Sequence, residues 1–174
     1  MARWVYMLTA FAALAAWAGA QGPAPAQLTA EDKLRLLRAN SQLIDNLVGH
    51  GVDLSNAGDP VQQAAHCRLT AGALARAVEA AAKQQEAERV AVLTLLFRDV
   101  VRDGFLPTHA EAKEHVTPES PGAKHLKQLR SSISEDVTKL KAAIPTSGKV
   151  GDSARVRDAL KQLDELTESL KEQK

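Results

Sequence analysis

Six side chains between Ala64 and Ala81 constrain this chain more than any other feature. Ala64, Cys67, Ala71, Leu74, Val78 and Ala81 follow one another at steps of 3, 4, 3, 4 and 3. With 3.6 residues per helical turn, they form one narrow stripe along a helix. A strand could not use them, because its side chains alternate between two faces. Most of the six are small, so a second helix axis can approach closely. The stripe therefore predicts a helix whose partner is another helix.

The rest of the sequence carries the same period. Helices are expected over about 30–48, from Pro60 onward, and over about 87–102, 108–115, 121–143 and 153–172. Asp59-Pro60 supplies a cap and a first-turn proline for the second of these. Thr29, with Asp32 three residues on, is a plausible cap for the first, and Gly49 and Gly51 are expected to stop it. The polar stretch Lys83 to Glu88 is read as a turn. Val90, Leu93, Leu96, Phe97, Val100 and Val101, joined by Ala91, Val92 and Leu95, make 87–102 apolar nearly all round, as in a deeply buried helix. Asp103-Gly104 should end it at a left-handed cap, with Pro107 beyond. Leu126, Leu129, Ile133, Val137, Leu140 and Ile144 share one face of 121–143. Val156, Leu160, Leu163, Leu166 and Leu170 form a narrow seam on 153–172. That last seam suits either the interior or a coiled-coil contact with another chain. No segment shows sustained strand alternation. The expected fold is all-α, an antiparallel helical bundle of four long helices plus one short helix, over residues 29–174, one long helix fewer than the five long segments above.

Residues 1–20 have a different character. One charge, Arg3, precedes an uncharged and almost wholly apolar run from Trp4 to Trp17, and Ala18-Gly19-Ala20 follows. A basic start, an apolar run and small residues are the three parts of a secretory signal peptide. Cleavage is expected between Ala20 and Gln21. The run is short for a membrane-spanning helix, which needs about 20 apolar residues. Residues 21–28, with Pro23 and Pro25, read as a flexible mature N-terminus. The product is expected to be exported, periplasmic or extracellular, with no membrane span after cleavage.

Removing that segment also removes chemistry. The chain has 22 basic and 21 acidic residues; Arg3 leaves with the signal, so the remainder balances at 21 of each. No global field is left to recruit nucleic acid. Both Trp, the only Tyr and both Met lie within the first 20 residues, which leaves Phe97 and Phe105 as the aromatic carbon rings. Base-stacking platforms and aromatic cages are thereby excluded. A single cysteine, Cys67, permits no internal disulfide framework.

Candidate sites are few. Cys67 lies within an apolar stripe, which favours a buried, inert thiol over a reactive one or an intermolecular disulfide. The histidines are His50, His66, His109, His115 and His125, and no two are at i,i+4. His66 and Cys67 are adjacent, so they point about 100° apart on a helix. Glu111 and His115 are at i,i+4, and with His66 they are the best residues for an assembled metal site. The ordinary reading of His50 is a cation near a helix C-terminus. Haem attachment would need Cys-x-x-Cys-His, and a carboxylate di-iron bundle would need Glu-x-x-His; neither occurs. Ser147 to Ser153 departs from a phosphate loop, because Ala143 stands where the first glycine belongs and Val150 follows Lys149. No cofactor is expected.

The stretch from Asp59-Pro60 through Ala82, continued by Glu88-Arg89-Val90-Ala91 and Asp99-Val100-Val101-Arg102-Asp103-Gly104, resembles Ala-rich exported helical proteins of unknown function from GC-rich bacteria. The likeness covers roughly residues 59–144. It implies an envelope or secreted protein and supplies no site residue. The functional expectation is a non-enzymatic exported bundle, interacting with a protein partner or structural in the envelope. The rivals are a metal-binding or enzymatic bundle using His66, Glu111 and His115, and self-association through the C-terminal helix.

Overall fold

The structure is a computed structural model and describes residues 30–172; the signal segment, the cleavage point Ala20–Gln21, the N-terminal stretch 21–28 and the Thr29 cap lie outside them. The chain divides into two units, residues 1–38 and 39–174. Among the described residues all regular structure is helical. The elements are α1 (Ala30–Asn56), α2 (Pro60–Lys83), α3 (Ala87–Asp99), a π-helical segment (Val100–Phe105), α4 (Leu106–His115), α5 (Pro121–Ala143), the single turn α6 (Gly148–Gly151) and α7 (Ala154–Glu172). No helix in this range is long and apolar enough to cross a membrane.

The α2 stripe is buried along its whole length. Ala64, Ala71, Val78 and Ala81 are completely enclosed, and Cys67 and Leu74 nearly so. Ala73, Ala75 and Ala82 are buried as well, so α2 presents several faces to neighbours. It packs against α3, the π segment, α4 and α5. Alanine makes this possible, since a methyl group lets helices close in from more than one side. Asp59 caps α2 as expected: its Oδ1 accepts from the backbone N–H groups of Val61 at 2.9 Å and Gln62 at 3.1 Å.

The turn after α2 contains no glycine. Glu86 donates its N–H to the Ala81 carbonyl at 3.1 Å and Gln85 donates to Ala82 at 3.0 Å. This is the paired closure of a Schellman motif, with Gln85 in the left-handed position at φ 58°. Phe97 is fully buried on α3 beside Val90, Ala91 and Leu93. Val92 is exposed and Leu95 half-buried, so α3 is one-sided rather than enclosed, and the central place falls to α2.

Two expected helix ends are not ends. α1 continues through Gly49 and Gly51 to Asn56. Each interior glycine costs about 1 kcal/mol relative to alanine. Leu43, Leu47 and Leu54 offset this by packing on the core from one side of the helix. The Asp103-Gly104 stop is likewise absent, because the chain stays helical from Ala87 to His115. Gly104 has no left-handed φ. Instead it makes room: a Cβ there would lie 3.4 Å from Cys67 Sγ. Pro107 has no N–H to donate, and one wide turn absorbs the break, with Leu106 donating back five residues to Val101. Thr108 Oγ1 donates to the Gly104 carbonyl at 2.7 Å.

α5 begins at Pro121 with Ser120 Oγ accepting from the Ala123 N–H at 3.2 Å. Its expected face is buried from Leu126 to Ile144. Arg68 on α2 donates to Ser132 Oγ of α5 from Nε at 3.0 Å and Nη2 at 2.6 Å. Asp136 lies 3.5 Å from the same guanidinium, a coulombic contact rather than a hydrogen bond. The seam of α7 is spent inside the chain. Val156, Leu163, Leu166 and Leu170 are buried, and the helix packs on α3 and α5.

Candidate functional site

A cleft of about 690 Å³ opens where α4, α5, α7 and the 116–120 loop meet. Its apolar wall comes from Val116, Pro118, Ala123, Leu126 and Leu170. Four cations also line it: Lys113 from α4, Lys127 and Arg130 from α5, and Lys171 from α7. Glu119 is the one acid of the lining and lies 3.9 Å from Lys127. The local formal charge is thus three positive in a chain whose total is only +1. Arg130 also donates to the Leu170 carbonyl, which ties α5 to α7 at the cleft. A tight turn shapes the loop wall. Ser120 donates its N–H to the Thr117 carbonyl at 3.1 Å, Pro118 takes the second place, and Glu119 stands at φ 65° where glycine is usual.

His109 is the polar group set deepest in this wall. Only 6% of it is exposed, and its Nε2 has no hydrogen-bond partner among the described residues. Its ring tilts against Phe105 one turn earlier on the chain, with centroids 5.3 Å apart. Burial holds its pKa below the ordinary histidine value; a hydrogen bond with the Leu126 backbone opposes this, and the charges of Arg130 and Lys113 add to it. The ring is therefore neutral near pH 7.

This depression has a stability consequence. The unfolded chain binds the proton at about pH 6.5, more readily than the folded chain does. The stabilisation linked to neutral His109 is complete above pH 6.5 and is lost as pH falls below it, toward the lower folded-state value. Urea unfolding between pH 8 and 5 should therefore show a falling midpoint, and His109→Asn should flatten that fall. An identical slope in both proteins would remove His109 from the pH response.

The expected metal residues are not gathered. Among the described residues, no group of three His, Cys, Asp or Glu side chains is placed to hold a metal. His66 is half-buried on α2, whereas Glu111 and His115 are exposed on α4. His115 Nδ1 lies 3.0 Å from the Glu111 backbone carbonyl, so this pair is a local helix-end contact. The helical spacing was real, but no third ligand converges on it. His50 is not at a helix end, since α1 runs six residues further. His125 is exposed on α5.

Cys67 is buried 3.4 Å from the point where a Gly104 Cβ would stand. Burial pushes its thiol from 9.0 up to about 11. A rise of that size cuts the thiolate fraction about a hundredfold at pH 8. An aromatic disulfide reagent should therefore label the native protein at least about a hundredfold more slowly than the urea-unfolded chain. Equal rates would mean that the thiol is open.

The second unusual surface is on α1. Leu34 and Leu37, in the first unit, are exposed. Ile44, Val48 and Val52, in the second, are 50%, 52% and 52% exposed. At 100° per residue Ile44, Val48 and Val52 lie roughly 120° around the helix from the inward seam of Leu43, Leu47 and Leu54. Leu34, Leu37, Ile44, Leu47 and Val48 share helical spacing in the sequence, yet Leu47 packs on the core and the other four are exposed. Periodicity identified them as helical positions but could not tell which of two apolar seams finds a partner. Nothing in the sequence singled out His109 either, because its environment is supplied by α5 and α7.

Set against known proteins, the chain matches no family model, no curated protein and no solved structure.

Proposed function

We propose that this chain is an exported, non-enzymatic helical-bundle protein that acts by protein contact in the cell envelope, through the outer face of α1. In this reading α2, α3, α5 and α7 are four long helices of an antiparallel bundle and α4 is the short one. The three-residue link between α2 and α3 suits antiparallel neighbours. Export rests on the three-part signal pattern of residues 1–20.

The carrying observation is the exposed row Ile44, Val48 and Val52. Large apolar side chains grouped at helical spacing on a surface mark an interaction site, where isolated ones do not. The spacing suits a partner that presents an apolar groove or helix. Self-association and a structural envelope role are forms of the same contact.

The test is paired capture from the envelope fraction, with the purified protein and a variant carrying Ile44→Glu, Val48→Glu and Val52→Glu. Light scattering on both reports self-association. The expected result is a partner, or a second copy, that is retained by the parent and lost by the variant, with unchanged circular dichroism. Equal capture by both proteins, or a parent that stays monomeric and retains nothing, would overturn the reading.

A further inference from the structure

The cleft between α4, α5 and α7 has features that protein contact through α1 does not use. Its volume falls within the range of about 300–1,000 Å³ typical of small-molecule sites. Its wall is mainly apolar, and its four cations outnumber the one acid of the lining, Glu119. His109 places an enclosed nitrogen without a partner in that wall. Leaving a buried polar atom unpaired is destabilising, and a ligand's hydrogen bond would offset that.

We propose that this cleft binds a single-chain anionic amphiphile of the fatty carboxylate class. The alkyl chain lies over Val116, Ala123, Leu126 and Leu170, where it removes apolar surface from water. The carboxylate sits beside Lys113 and reaches Lys127 and Lys171, where it competes with the exposed partners Glu119 at 3.9 Å and Glu168 at 2.8 Å. His109 and Lys113 are at i,i+4, so they share one face of α4 and meet the head group together. The ring hydrogen bond to the Leu126 backbone leaves Nε2 facing the ligand, and Nε2 donates to a carboxylate oxygen once the bound anion favours the protonated ring. The excess of positive charge selects an anion over an uncharged or cationic amphiphile. The half-enclosed shape and size suit one acyl chain rather than a two-chain lipid.

Isothermal titration of the purified protein with laurate, kept below its micelle concentration, tests this. Dodecanol probes the need for charge, and phosphatidylglycerol vesicles probe a membrane surface as the source of the anionic amphiphile. The expected result is saturable 1:1 binding of laurate, at least tenfold weaker binding of dodecanol, and little binding to vesicles. Lys113→Gln combined with Lys127→Gln changes only exposed side chains and should weaken laurate at least tenfold, with an unchanged circular dichroism spectrum. Ala123→Phe, at a half-exposed position, should fill the tail site and abolish binding in a folded protein. No saturable laurate binding, equal affinity for dodecanol, vesicle binding without laurate binding, or full laurate affinity in both folded variants would each overturn the proposal.

Discussion

Replacing Phe97 with alanine should lower the unfolding free energy by about 3–5 kcal/mol. Phe97 is completely buried and is one of two phenylalanines after residue 20. Its neighbours in the core are mostly Ala, Val and Leu, so the packed volume around it is assembled from small pieces. Truncation loses the transfer free energy of the ring and leaves a cavity beside helices already held close by alanine contacts. Such helices have little room left to collapse, which favours the upper part of the range. Domains of this size have total stabilities of about 5–15 kcal/mol, so the variant should lose roughly a fifth or more of its margin. Urea unfolding followed by circular dichroism measures this. A loss below about 1 kcal/mol would mean that the ring does not fill the core.

Gly151→Ala should cost about 3 kcal/mol through the opposite fault, overpacking. A Cβ at Gly151 would stand 2.2 Å from the Thr146 carbonyl carbon, 2.6 Å from its oxygen and 2.8 Å from the Pro145 oxygen. All three are backbone atoms, so no side-chain rotation relieves the clash. The connection between α5 and α7 would have to move, and with it the buried Val150. Gly49→Ala is the matched control. Nothing stands within 4 Å of a Cβ there, and the position is helical, so stability should rise by roughly 0.5–1 kcal/mol. Thermal unfolding of the two variants should move in opposite directions. A neutral Gly151→Ala would show that the connection is loose.

These two glycines show where the sequence is legible and where it is not. Asp59-Pro60 and Ser120-Pro121 open helices where their local chemistry says they should, because a cap needs only its own next three residues. The faces Ala64 to Ala81 and Leu126 to Ile144 are readable for the same reason: helical spacing is a local property. Gly49, Gly51 and Gly104 are locally helix breakers, yet none ends a helix. Leu43, Leu47 and Leu54 hold α1 together across its glycines, and Gly104 serves the approach of the π segment to Cys67. Gln85, with no glycine to announce it, takes the left-handed turn.

The candidate site was less legible than the fold. Lys113, Leu126, Arg130 and Leu170 look like ordinary members of amphipathic helices, and they become one cleft only when α4, α5 and α7 meet. His66, Glu111 and His115 could be shortlisted by residue type, but a metal site needs convergence, which no spacing within a single helix supplies.

The Ala64–Ala81 stripe itself, read along the chain, settled that this segment is a helix and that its partner is a helix. Its six positions are set by turns of a single element, so one dimension of information suffices. The tertiary structure decided that α2 is the central helix, that Gly104 is the residue facing Cys67, and that the second apolar seam of α1 stays in solvent. Those outcomes depend on which surfaces meet and at what distance. Burial is a property of pairs of elements, and a sequence lists its elements one at a time.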